Sequence, residues 1–229
     1  MAFHGATMES SIRERTVKAF EFLRGEFGEY PRLFCNHGFN QENLYWGEAR
    51  FQTKMFRLLS RMWQKRTRGH YLGEVPGSSY FWGDVCKKHV QYVRNFTFQT
   101  LNMLSVNPEM PYSLPDTPYV NYWFSSADAP DVQAFKALLS RDRLDQLQSE
   151  GGVCILSTHL GKGFSKNGQV DPQIVDILQY LASKEGWFVP VSDILDHLLN
   201  LKAGPPVLVA HDRIRFEARF LLDRVIGIR

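Results

Sequence analysis

Short apolar runs alternate with amphipathic stretches of ten or more residues through the second half of this chain, and that alternation limits its fold more than any other feature. A strand is expected at 119–124, a helix at 131–148, a strand at 153–157, a helix at 172–184, a strand at 187–191 and a helix at 192–201. Parallel strands cannot be joined by a tight turn and need a crossover of helical length, so this order implies an α/β architecture around a parallel sheet.

The first half fits the same scheme with longer loops. Residues 2–5 read as the end of a strand, and Ser11 with Glu14 has the spacing of a capping box for a helix over 12–27. Gly28 and Pro31 stop that helix, and Leu33, Phe34 and Cys35 form a buried strand ending in Asn36, His37 and Gly38. A loop rich in side-chain hydrogen-bonders precedes a helix over 51–65, and a second loop, 69–83, is rich in Gly, Ser and aromatic residues. Asp84 is expected to cap a helix reaching residue 92, followed by a strand at 93–98. Four prolines make 107–118 irregular. With no internal repeat or dividing linker, the expectation is one domain over 1–201 with a C-terminal extension, 202–229, that ends in an Arg-rich amphipathic stretch.

Composition narrows the function classes. The 27 basic and 24 acidic residues leave a net charge of +3, too small to argue for nucleic acid. The densest basic stretch, Arg57, Arg61, Lys65, Arg66 and Arg68, is interleaved with Phe56, Leu58, Leu59, Met62 and Trp63, as on the wet face of an amphipathic helix; a polyanion patch is the alternative. The three cysteines, Cys35, Cys86 and Cys154, form no close pair, and Cys35 and Cys154 sit in apolar runs as inert core residues. The start lacks the pattern of a signal peptide, and no run approaches the ~18 apolar residues of a membrane span, so a cytoplasmic location is the expectation.

In α/β barrels the loops after the strands build the active site. Read in that way, the chain offers His4, then Asn36 and His37, then Arg94 and Asn95, then Ser125, Ser126 and Asp128, then Thr158 and His159. Imidazoles at such positions bind metals or move protons near neutral pH. Structural uses stand beside these: His4 as a surface residue, His37 and His159 as loop hydrogen-bonders, Asp84 as a helix cap. The aromatic residues Tyr45, Trp46, Tyr71, Tyr80, Phe81, Trp82, Tyr119, Tyr122 and Trp123 suit either sugar stacking or a core.

The succession HGATM, NHG with NQENLYWG, SSYFWGD, YVRNFTF, YVNYWFSSADAPD, GGVCILSTHLGKGF and GWFVPVSDILDHL resembles a bacterial branch of the polysaccharide deacetylase family over about residues 1–201. The resemblance implies a distorted (β/α) barrel, here incomplete, and metal-dependent removal of acetyl groups from a polysaccharide or oligosaccharide. It implies zinc or a similar divalent metal, with His4 as the first histidine of the H-x-x-x-H metal pair and His159 as the acid that protonates the leaving amine. Asn36, His37, Trp46, Trp82, Asn95 and Trp123 are the expected substrate-binding residues, and Asp128 is the first candidate for a replacement base.

Two departures qualify this. The second metal histidine falls on Met8, and a thioether is a poor zinc ligand. The strand bearing the family's paired aspartates would precede residue 1, and no Asp-Asp pair occurs in the chain. The expectation is therefore a deacetylase-like hydrolase that is impaired or inactive as this chain alone, with a non-catalytic carbohydrate-binding pseudoenzyme as the alternative. A truncated product and a degenerate relative are both compatible with the sequence, and unpaired sheet edges would favour self-association.

Overall fold

The computed structural model of the protein describes residues 1–63, 70–203 and 206–226. In chain order the elements are β1 (Ala2–Phe3), α1 (Arg13–Phe27), β2 (Leu33–Cys35), a 3₁₀ turn (Gly47–Arg50), α2 (Lys54–Trp63), α3 (Gly83–His89), β3 (Tyr92–Phe98) and α4 (Met103–Val106). There follow β4 (Tyr122–Ala129), α5 (Val132–Leu138), α6 (Arg141–Ser149), β5 (Leu156–Thr158), β6 (Ser165–Lys166), β7 (Gln169–Val170), α7 (Pro172–Ala182), α8 (Val191–Asn200) and α9 (Ala210–Ile226). The main sheet has the order β1-β2-β3-β4-β5, and the pairings β1–β2, β2–β3 and β4–β5 are parallel. The expected mixed α/β architecture with parallel strands is thus present. Among the described residues no helix is long and apolar enough to cross a membrane.

The chain forms two compact units that interleave along the sequence. The first comprises Met1–Asn95, Met110–Phe124 and Ser192–Ala218; the second comprises Phe96–Glu109, Ser125–Val191 and Arg219–Arg229, described as far as residue 226. In the first unit, β1 and β2 run in register from Ala2↔Leu33 to Phe3↔Phe34, and β2 pairs with β3 from Leu33↔Tyr92 to Cys35↔Arg94. Its core is aromatic: the ring centroids of Phe3 and Phe20 are 4.6 Å apart, Phe34 and Trp82 4.8 Å, and Phe20 and Trp82 5.6 Å. The first two pairs pack edge-on, which suits the ring quadrupoles, and the cluster fastens α1 to β1 and β2. The buried carboxylate of Glu217 accepts hydrogen bonds from the backbone N–H groups of Gln52 (2.7 Å) and Thr53 (3.1 Å), which secures the entry to α2.

In the second unit, β4 pairs with β5 from Ala127↔Leu156 to Ala129↔Thr158. Phe220 packs on Phe96 at 4.4 Å and on Phe98 at 6.1 Å. Helices α5 and α7 begin at Asp131 and Asp171, whose carboxylates accept from Ala134 N and Gln173 N, both at 2.9 Å. Lys136 also reaches Asp171, at 2.5 Å.

Several local expectations are corrected. The strand placed at 119–124 starts at Tyr122, after a turn closed by Val120 N to Thr117 O, and runs on through Ser125, Ser126 and Asp128 to Ala129. Those three residues, and Arg94 and Asn95 in β3, therefore lie within strands and not beyond them. The helix expected at 131–148 is two helices, broken where Ser140 turns extended to start α6. No strand forms at 187–191: Pro190 has no N–H to donate, α8 begins at Val191, and Trp187 and Phe188 are exposed. Ser11 and Glu14 make no capping box, since Ser11 N donates to Glu42 and Glu14 pairs with Lys18. Asp84 is not the N-cap, since α3 starts after Trp82; it lies in the first turn and holds Arg13 through two bonds of 2.6 and 2.7 Å. Residues 64 and 65 of the helix expected at 51–65, residue 69 of the loop at 69–83, and the basic residues Lys65, Arg66 and Arg68 lie outside the described residues.

One close approach ties the two long loops of the first unit together. The carbonyl of Gly73 accepts from Trp82 N (3.0 Å) and Gly83 N (3.1 Å). A Cβ on Gly73 would lie 2.1 Å from Glu42 O and 2.8 Å from Asn43 O, both backbone atoms that cannot swing aside. Gly73→Ala is expected to destabilise the protein by about 1–3 kcal/mol, as overpacking does, in urea unfolding; an unchanged midpoint would show that the loops separate without cost.

Candidate functional site

The loop after β2 is held by its asparagines. Asn36 is buried and reciprocally bonded to Leu44: its Nδ2 donates to Leu44 O (3.1 Å), and Leu44 N donates to its Oδ1 (2.9 Å). Asn43 does the same for His37, whose backbone N–H donates to Asn43 Oδ1 (2.9 Å) while Asn43 Nδ2 donates to His37 O (3.1 Å). Two such brackets close residues 36–44 into a rigid loop. The indole of Trp46 donates to Gly38 O at 3.1 Å, and His70 Nε2 lies 2.7 Å from Phe39 O. The backbone of His37 is therefore fixed while its half-buried imidazole is left to other work.

That imidazole meets His4. His37 Nδ1 lies 2.8 Å from His4 Nε2, the rings cross at 80° with centroids 4.5 Å apart, and His4 Nδ1 lies 2.7 Å from Cys35 O. A carbonyl oxygen only accepts, so His4 Nδ1 carries a proton. In the neutral pair His4 Nε2 then offers its lone pair, His37 Nδ1–H donates to it, and the lone pair of His37 is left on Nε2. No described residue hydrogen-bonds that atom. The parallel register Phe3↔Phe34 creates the meeting, because His4 directly follows β1 and His37 lies two residues beyond β2. A fixed partner selects the tautomer of a histidine and aims its other nitrogen, which suits proton transfer.

The remaining candidates divide clearly. In the second unit, Asp128 accepts from Thr97 Oγ1 (3.2 Å) and stands 3.4 Å from Arg224, which also donates to Thr97 Oγ1 (2.6 Å). This ion-paired carboxylate, in the last two residues of β4, differs from the open loop base expected of it. His159 stands exposed in the turn directly after β5, at the expected strand end, and its side chain has no hydrogen-bond partner among the described residues. In the first unit, Trp82 and Trp123 are fully buried and present no ring face to a sugar. Their indoles donate to Glu42 O (2.6 Å) and Thr117 Oγ1 (3.0 Å). Buried Asn95 donates to Tyr112 Oη (3.4 Å) while its Oδ1 has no hydrogen-bond partner among the described residues, and Asn36 serves its loop. Trp46 is half-buried, with the Arg50 guanidinium 3.6 Å above its ring, so a cation already occupies one face.

The residues present do not make the zinc site the resemblance implies. Met8 at the position of the second metal histidine is 80% exposed, and His4 is hydrogen-bonded at both ring nitrogens. Among the described residues no three His, Cys, Asp or Glu side chains converge as ligands. Burial raises the thiol pKa of Cys35, opposed by the charge of Arg94, and pushes that of Cys154 up to about 12, so neither supplies a thiolate near neutral pH.

Sequence reading missed Glu74, and nothing in GEVPGSS marks it. Its carboxylate accepts from the backbone N–H of Tyr45 (3.0 Å), a residue held at φ 45°, where side chains larger than Gly are strained. Burial raises the Glu74 carboxyl from 4.5 to about 7, only partly opposed by its hydrogen bonds to the Tyr45 and Glu74 backbone. Comparison with family models, with curated proteins and with solved structures gives no match.

Two measurements check this description. In ¹⁵N imidazole spectra at pH 8, His4 and His37 should both be protonated on Nδ1, and a proton on His37 Nε2 would contradict the relay. A raised folded pKa contributes stability that is complete below the unfolded value and is lost as pH rises through the folded one. The contribution of Glu74 should therefore fade between about pH 4.5 and 7. Glu74→Gln should match the wild type at low pH and exceed it at pH 8 by about 3 kcal/mol in urea unfolding; a gap independent of pH would refute the buried carboxyl.

Proposed function

We propose that this chain is a deacetylase-type hydrolase domain with the strand arrangement of an incomplete (β/α) barrel, acting on an acetylated polysaccharide or oligosaccharide. The observation that carries the reading is the His4–His37 pair at the C-terminal ends of two adjacent parallel strands, the end where folds of this type assemble catalysis. His37 Nε2 takes a proton from a water that attacks the acetyl carbonyl, then returns it to the leaving nitrogen or oxygen. His4 positions His37 and is itself held by Cys35 O. General acid–base catalysis contributes typically ~10²–10⁴-fold, so one such pair without the metal and paired aspartates of the family supports only slow turnover.

The incomplete ligand set favours a second reading, a non-catalytic carbohydrate-binding protein. The two are separated by acetate release from acetylated chitooligosaccharides, with and without added zinc. Slow release that His37→Ala abolishes, and that His4→Ala lowers by about 10-fold or more, is expected of the hydrolase. His159→Ala tests the separate acid role implied by the resemblance. Equal release by wild type and His37→Ala would overturn the catalytic reading, and saturable binding of the same oligosaccharides would then support the second.

A further inference from the structure

Helix α2 turns the wrong side to water for an ordinary surface helix. Phe56 and Ser60 are buried, whereas Met55, Leu58, Leu59 and Met62 are 60%, 57%, 46% and 76% exposed. Their spacing of three, one and three residues places the four on one stripe, about 100° wide, beside the buried one. Exposed Lys54, half-buried Arg57 and exposed Arg61 flank the stripe on its other side. Arg57 is anchored through the carbonyl of Phe51 and Arg61 through Glu48, so the charged heads are set at the border of the apolar face. The sequence carries no Asp or Glu from residue 51 to residue 72.

Four large apolar side chains in a row are more than the scattered exposure normal for a monomer, and mark a surface that something covers. The choice of occupant rests on charge. Glu48 answers Arg61, but the sequence from residue 51 to residue 72 carries only positive charge, which repels a basic partner and gives a neutral one nothing to pair with, whereas an anionic lipid surface satisfies both features. The apolar stripe enters the acyl boundary and the basic side chains stay at headgroup level.

We propose that α2 is an interfacial helix that docks this protein on an anionic membrane surface, with Met55, Leu58, Leu59 and Met62 as the inserted side chains. The site would hold the domain at the surface without crossing the bilayer. A near-surface Lys or Arg contributes roughly 1 kcal/mol toward an anionic leaflet, so Lys54 and Arg57, with Arg61 already paired to Glu48, give about a 30-fold preference over a neutral one at low salt.

The test is co-sedimentation of the full chain with phosphatidylcholine vesicles containing 30% phosphatidylglycerol, and with vesicles of phosphatidylcholine alone. Binding to the anionic vesicles should be at least about 10-fold tighter, and should weaken as salt is raised. The double variant Leu58→Gln, Met62→Gln alters exposed positions only; it should lose binding by about 10-fold or more with an unchanged circular dichroism spectrum. Absence of wild-type binding, or equal binding by the variant, would overturn the proposal. So would a concentration-dependent dimer abolished by the variant, which would assign the stripe to a second copy of the chain.

Discussion

The indole of Trp82 is the joint on which the first unit depends. Its ring completes the cluster with Phe3, Phe20 and Phe34, and its N–H donates to Glu42 O, inside the loop that presents His37. An apolar body and a single polar atom thus serve two purposes: the body fastens β1, α1 and β2 together, and the N–H fixes the height of the loop above them. Glu42 extends the link, accepting from Ser11 N (3.0 Å) and from Asn40 Nδ2 (3.1 Å). An unpaired indole or carboxylate at this depth would carry a full desolvation cost, so the interactions hold or fail together.

Positioning of the histidine pair follows from that rigidity. Nothing in an isolated imidazole favours Nδ1–H; the carbonyl of Cys35 imposes it on His4, and His4 passes the preference to His37. In the second unit the polar candidates are set differently. The carboxylate of Asp128 is already engaged by Thr97 and Arg224, and the His159 side chain is hydrogen-bonded by no neighbour among the described residues. Exposed and well-placed are separate properties, and the pair joins availability to a fixed orientation.

Elements with strong local signals were legible in the sequence. Helix α1 ends where Gly28 adopts φ 78°, β2 occupies the expected Leu33–Cys35, and α7 begins at the expected Pro172 behind its Asp171 cap. Errors arose where tertiary surroundings outweighed local chemistry. Ser125, Ser126 and Asp128 look like a loop, yet small polar residues fit a strand covered on both faces, and burial of Ser125 and Ser126 is nearly complete. The apolar run near Trp187 looks like a strand and is left without a ladder by Pro190. The nitrogen-to-nitrogen contact of His4 and His37 joins residues 33 apart, so it depends on strand register and no local pattern announces it. The same holds for the aromatic residues: composition counts Trp46, Trp82 and Trp123 alike, and only packing separates two core indoles from one capped by Arg50.

The interleaving of the two units along the chain has an evolutionary consequence. The backbone passes from one unit to the other at residues 95/96, 109/110, 124/125, 191/192 and 218/219, twice in the middle of a strand and once in the middle of a helix. No single crossover in a gene can therefore separate the two units. Recombination that shuffles contiguous segments carries pieces of one unit along with the other, so descent with this architecture favours change by point substitution over exchange of modules.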